Sequence, residues 1–237
     1  MALFPAVTGR KTVPAGRTVL LIHGAWHGAW CWERVVKLLN DDDIITGCPD
    51  LPLTSFDDDV ACVQEAVLGA NTDVVACGHS YGGRLVSAAT SGLPQVSHLV
   101  YLSSVMPNDD QLIKYAEQRA GPRNTSRPDL AEYRSKYCNA CSEEDIQLGF
   151  AHLRDMTAIP GGIRGLDSRP WLTRTSTYIV CTLDKAIEPG FQHEMAANAT
   201  HQTEILADHS AFFSAPEELA RTLTEIVRYD RPSTTGR

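Results

Sequence analysis

An apolar run at residues 74–77 (VVAC) passes without a break into Gly78-His79-Ser80-Tyr81-Gly82 and then into a helix-forming stretch over 82–89. Few backbones can make that change of direction. The turn must be so tight that the Ser80 hydroxyl projects above the strand end. Both flanking glycines are needed, because neighbouring backbone packs where a Cβ would collide. Glycine-x-serine-x-glycine is a short pattern, and its setting between a strand and a helix is what makes it chemically informative. The C-terminal end of a sheet strand is also where open α/β sheets gather their active sites.

The rest of the chain repeats the same rhythm. Residues 18–23 (TVLLIH), 44–48, Val96–Leu102, Ser176–Cys181 and 202–206 read as strands, several of them continuous apolar runs suited to burial on both faces. Helical patterns over 32–39, 57–68, 82–89, 191–197 and 215–227 alternate with them. This predicts an α/β fold: a mostly parallel sheet of about six strands with helices on both faces. Between 106 and 170 the pattern changes to Pro, Arg, Asp and Ser clusters with helical fragments at 111–119, 130–137 and 143–153, and no good strand. We read 1–105 and 171–237 as the core and 106–170 as a small helical cap insertion.

Bulk properties narrow the partners. With 237 residues, 43% hydrophobic and 21% charged, the composition is that of one ordinary globular domain. A formal net charge of −8 argues against nucleic acid or an anionic membrane surface. No apolar run approaches the roughly 18 residues of a membrane span, and residues 1–17 lack the pattern of an export signal. A cytoplasmic protein is expected. The seven cysteines are odd in number and irregularly spaced, as free thiols are, with Cys62, Cys77 and Cys181 read as small core residues. One pair, Cys138-Asn-Ala-Cys141, has the CxxC spacing but lacks the further ligands a zinc site needs, so no metal is expected.

A serine hydroxyl is a weak nucleophile and requires a base. Of eight histidines, His209 alone directly follows a predicted strand and precedes the last helix. The acid that orients it is expected after the preceding strand, in the chain order Ser, Asp, His. Asp184 stands three residues past Cys181, with Glu188 as the alternative. Asp208, beside the base, reads as a loop hydrogen-bonding residue. The loop His23-Gly24-Ala25-Trp26 follows the first strong strand and can aim backbone N–H groups above Ser80. The N–H groups of Ala25 and Tyr81 are the expected oxyanion donors. Gly24 and Trp26 are the expected pocket walls, while Trp30 and Trp32 pack.

The strings LLIHGAWHGAWCW, PDLP and GHSYGG, the stretch from Asp184 through Pro189-Gly190-Phe191-Gln192, and Asp208-His209 resemble the α/β-hydrolase superfamily. The resemblance is to its group of plant methyl-ester esterases and hydroxynitrile lyases with their bacterial relatives. It implies a Ser80–His209–Asp184 triad with Ala25 and Tyr81 as oxyanion donors, a small-molecule ester-like substrate, no cofactor, and room for a homodimer. The lyases of that group carry Thr after the first His and Lys after the catalytic His. Gly24 and Ser210 stand there instead, which points to the esterase branch. The short Pro52-Leu53-Thr54-Ser55 stretch replaces a longer Gly-rich loop. The same triad could cleave thioesters, lactones or C–C bonds next to a carbonyl, because discrimination lies in the cap. Arg119, Arg123, Arg127 and Arg134 offer carboxylate anchors there, though solvated surface charge accounts for most such residues. A non-catalytic ligand-binding member of the fold would have no need to keep Asp184 and His209.

Overall fold

The computed structural model describes residues 16–118, 125–157 and 164–229. Residues 1–15, Arg119 and Arg123 lie outside them. The described chain forms one sheet of six strands in the order β2-β1-β3-β4-β5-β6, every neighbouring pair parallel. In chain order these are β1 (Thr18–Ile22), β2 (Ile45–Gly47), β3 (Val74–His79), β4 (Val96–Leu102), β5 (Ser176–Cys181) and β6 (His201–Ile205). The connections include α1 (Glu33–Asp41), α2 (Phe56–Leu68), α3 (Tyr81–Ala89) and α7 (Pro189–Ala196), and α9 (Pro216–Tyr229) closes the fold. The short helix α8 (Ala211–Ser214) and a 3₁₀ turn at Ala29–Trp32 carry too few residues to show a period and were not legible in the sequence.

The inner strands are buried on both faces, and period-two alternation sorts their side chains between two cores. Val19 and Leu21 of β1 join Val75, Cys77, Val100 and Ile179 on the face covered by α1 and α9. Leu20 and Ile22 join Ala76, Leu99, Tyr101 and Tyr178 on the face covered by α2 and α3. The outer strands β2 and β6 are partly exposed, as edge strands are, and β6 is mostly polar. Leu21 is fully buried in the first core. Leu21→Ala is expected to destabilise the fold by about 2–5 kcal/mol, read as a lower urea midpoint at unchanged slope.

Between β4 and β5 lie α4 (Asp109–Gln118), α5 (Leu130–Glu132) running into a wider turn at Tyr133–Tyr137, and α6 (Glu143–His152). Ser142 caps α6 by accepting from the Asp145 N–H, and Asp129 caps α5 in the same way from Glu132. Arg34 of α1 pairs with Asp145, tying α6 to the sheet layer. Arg134 pairs with Glu143, and Arg127 lies over the Phe150 ring at 5.3 Å, so both arginines have local partners. Cys77 and Cys181 are buried core thiols as expected, but Cys62 is only partly buried, because it sits at the solvent margin of α2.

Candidate active site

Ser80 sits between β3 and α3 with φ +52° and ψ −116°, a left-handed backbone that is costly for any residue with a Cβ. Such strain, of order 1–3 kcal/mol, persists only where the surroundings over-determine it. Here the Ser80 N–H donates to Leu102 O at 3.1 Å, and its carbonyl accepts from Gly83 N at 3.1 Å and from Ser104 Oγ at 2.6 Å. The flanking glycines are a steric requirement. A Cβ on Gly78 would stand 2.5 Å from Gly82 O, and one on Gly82 would stand 2.5 Å from Ile22 O. The close approach of α3 to the ends of β1 and β3 is therefore what the motif encodes.

His209 is 3% exposed and follows β6. Its Nδ1–H donates to Asp184 Oδ2 at 2.8 Å. Asp184 lies in the loop after β5, so the two side chains come together across neighbouring strand ends. Nδ1 faces only acceptors besides the Ser103 hydroxyl, which leaves the lone pair on Nε2. Among the described residues, neither His209 Nε2 nor Ser80 Oγ is engaged by another side chain. Glu188, the alternative acid, is exposed at the start of α7 and makes no bond to the histidine. Asp208 is buried and accepts from the N–H groups of Ala140 and Ser210 and from Ser214 Oγ, a loop-holding role.

The Asp184 carboxylate is densely solvated by protein. Oδ1 accepts from the N–H groups of Ala186 (2.7 Å) and Ile187 (2.9 Å), and Oδ2 accepts from Gln192 Nε2 (3.0 Å) and Ser103 Oγ as well as His209. Burial pushes its pKa up, but His209 and these donors together outweigh burial and hold it below the ordinary carboxylate value.

Three other histidines support the site in neutral form. His23 Nδ1–H donates to Gly24 O (2.8 Å) while Nε2 accepts from Leu51 N (3.0 Å). His27 Nδ1–H donates to Ala25 O (2.9 Å), and His79 Nε2–H donates to the carbonyl of His209 (2.8 Å). Burial drives His23 down to about 4, His27 to about 3 and His79 well below its ordinary value. Two of them clamp the loop that carries Gly24 and Ala25, and the third clamps the loop that carries His209. The N–H groups of Ala25 and Tyr81 make no backbone hydrogen bond to another described residue, and Tyr81 opens α3, where first-turn N–H groups have no helical partner. A Cβ on Gly24 would stand 2.9 Å from His79 Nδ1 and 3.2 Å from the Ser80 Cβ, so the loop runs tight against the elbow.

Comparison with known proteins identifies the family. The family model described as "Alpha/beta hydrolase family" matches residues 19–222. The chain belongs to the alpha/beta hydrolase family. It is 26% identical over 250 residues to norfluorocurarine synthase 1 of Strychnos sp, covering 88% of this chain and 94% of that protein. It is 26% identical over 254 residues to methyl jasmonate esterase 1 of Vitis vinifera, covering 89% and 97%. Its fold superposes on tomato methylketone synthase I with a TM-score of 0.77 at 20% identity, over 92% of this chain and 99% of that one. The resemblance to the plant methyl-ester esterase group is thus shown.

Several residues that shape the site of this hydrolase carry no sequence signal. Ser103 has φ +41° at the end of β4 and reaches both Asp184 and His209 Nδ1 (3.2 Å). Asp59, readable only as one of three acidic residues at the start of α2, is buried, accepts from the Tyr81 hydroxyl (2.7 Å) and Leu53 N (2.8 Å), and so fixes the residue after the serine. Arg154, just past α6, donates to Asp50, Leu51 O and His27 O, while its N–H donates to Trp26 O. Trp26 itself donates from Nε1 to Thr125 O at 3.1 Å, tying the loop after β1 to the segment between β4 and β5. Trp32 is fully buried, and Trp30 is half-buried against Phe213.

Proposed function

We propose that this protein hydrolyses carboxylic esters of small molecules through Ser80, His209 and Asp184. The observation that carries the reading is the buried Asp184–His209 pair, whose histidine meets the His79 ring at 4.7 Å, one residue before a serine held at positive φ at the end of β3. His209 Nε2 takes the Ser80 proton as Oγ attacks the ester carbonyl. The Asp184 carboxylate stabilises the imidazolium that forms. The N–H groups of Ala25 and Tyr81 receive the oxyanion, a term worth about 3–4 kcal/mol per donor in such sites. His209 then gives its proton to the departing alkoxide, and water, activated by the same Nε2, releases the acid from the acyl-enzyme. In this reading residues 106–170 form a cap that selects the substrate, with Gly24 and Trp26 on the pocket wall. Cyanohydrin cleavage is disfavoured, because Ser210 offers a hydroxyl where a cation would receive cyanide.

A fluorophosphonate probe tests the reading directly. The expected result is a single phosphonyl adduct on the peptide that contains Ser80. An unlabelled Ser80 under conditions where the fold is intact would overturn it. A panel of p-nitrophenyl esters of increasing chain length then bounds the acyl pocket.

Ser103 is a positioning residue in this scheme. Ser103→Ala removes one donor from Asp184 Oδ2, a charge-assisted hydrogen bond worth about 1.5–3 kcal/mol. We expect kcat to fall about tenfold with KM nearly unchanged. With its carboxylate less well solvated, Asp184 becomes more basic, so its protonation, and the loss of activity on the acid side that goes with it, moves to higher pH. A loss confined to stability, with the profile unmoved, would mean that Ser103 only packs.

A further inference from the structure

The CxxC pair is not used by the proposed chemistry, yet it touches both loops that carry it. The turn over 138–141 is closed by Cys141 N donating to Cys138 O at 3.3 Å. The turn and Tyr137, the residue before it, are fastened to their surroundings by four contacts. Ser210 N donates to Tyr137 O (3.0 Å) and Ala140 N to Asp208 Oδ2 (2.7 Å), on either side of His209. Asn139 Nδ2 donates to Leu183 O (3.0 Å), next to Asp184. The Tyr137 ring meets the His209 imidazole edge-on at 5.5 Å. A change in this turn reaches the acid and the base together.

Both cysteines are free thiols; Cys138 is 1% exposed and Cys141 is partly exposed. A closed four-residue turn brings its end Cα atoms within about 7 Å, the range a disulfide spans. The Cys141 thiol also points at the Asp208 carboxylate, 3.4 Å from Oδ2. Among the described residues no group of three metal-ligating side chains includes the pair.

We infer that Cys138 and Cys141 form a dithiol site that a hydroperoxide oxidises to a disulfide, and that closing this bond slows the chemistry at Ser80. The functional half rests on the triad proposed above. Cys141, the less buried residue of the pair, attacks the peroxide oxygen with its sulfur; the O–O bond breaks, water leaves, and Cys141 becomes a sulfenic acid. Cys138 then attacks that sulfur, the S–OH bond breaks, and a second water leaves. Two thiols and one hydrogen peroxide thus give one disulfide and two waters. The thiols influence one another: the neighbouring Cys141 S–H holds the Cys138 thiol below its ordinary value, which favours it as the second attacker. The new bond takes the Cys141 S–H away from Asp208, the carboxylate adjoining His209, and pulls on a turn hooked to Leu183 and Ser210.

The test treats the whole protein with hydrogen peroxide and reads two signals. Lys136 and Arg154 bound one tryptic peptide, 137–154, that holds both cysteines. After oxidation it is expected to weigh two hydrogens less and to resist alkylation, reverting with dithiothreitol. The rate of fluorophosphonate labelling at Ser80 is expected to fall several-fold in step and to recover on reduction. Cys141→Ser keeps a donor to Asp208 and is expected to label at the reduced wild-type rate with or without peroxide; Cys138→Ala provides the same control from the other sulfur. A peptide that retains two alkylatable thiols overturns the dithiol site. A disulfide that leaves the labelling rate unchanged overturns its coupling to Ser80. If Ser80 fails to label even when reduced, the triad reading falls, while the peptide mass still decides the dithiol site.

Discussion

Ser80→Ala is expected to lower ester hydrolysis by at least about 10⁴-fold, because a triad acts as a unit and its nucleophile has no substitute. Hydrolysis is read with p-nitrophenyl esters, and folding by urea titration of the same sample. Stability should stay within about 0.5 kcal/mol of wild type: no described side chain depends on the Ser80 hydroxyl, and the bonds that hold this residue are made by its own N–H and carbonyl, which the substitution leaves in place. Ser80→Gly separates chemistry from strain. It too abolishes hydrolysis, yet it removes the Cβ from a residue at φ +52° and is expected to raise stability by up to about 1 kcal/mol. Hydrolysis that survives either substitution would place the nucleophile elsewhere.

Stability is expected to fall steeply between about pH 6 and pH 4. The cause is three buried histidines held neutral: His23 at about 4, His27 at about 3 and His79 well below its ordinary value, all from burial first. Their folded values lie below the unfolded value of about 6.5. The unfolded chain therefore binds more protons in this window. The stability they contribute is complete above about pH 6.5 and is lost as pH falls toward the folded values. Each histidine gives a slope of about 1.4 kcal/mol per pH unit, so three give about 4, against a typical total of 5–15 kcal/mol. Urea midpoints at pH 7, 6 and 5 should fall in that proportion, with acid unfolding near pH 5. Asp184 acts in the same direction but lower: its depressed value contributes stability above about 3.9 that is lost only as pH falls through its folded value. His27→Asn retains a donor toward Ala25 O and should flatten the slope by about one third. A slope of less than one proton would show that these rings charge without unfolding the chain.

The sequence itself shows where most of this fold comes from. Val96–Leu102 and Ser176–Cys181 have the same limits in the structure as in the hydrophobic pattern, because each carries an apolar segment, LVYL and YIVC, that is buried on both faces. The edges were harder to place. β6 starts one residue earlier than its pattern, since His201, Gln202 and Glu204 at a sheet edge answer to water rather than to a core. The site was legible where chemistry is tied to chain order: a serine after one strand, an acid after a later one, a base after the last. It was illegible where function depends on a contact between distant segments. Ser103 was one serine among many until the end of β4 came beside the loop after β5. Asp59 was a helix-start acid until α2 lay against Tyr81.

By itself the sequence determined the elbow at Ser80 and its place above β3, because the two glycines leave the backbone no other close approach. It also determined that Asp184 and His209 follow strands, and so lie at the same end of a parallel sheet as Ser80. Only the tertiary structure decided that the strand order puts β5 and β6 side by side, bringing an acid and a base 25 residues apart to 2.8 Å. It alone decided that Cys138 and Cys141 sit beneath the loops of both. Hydrogen bonds of 3 Å between residues tens of positions apart leave no periodicity in a chain. They exist only once burial has set the register of the sheet.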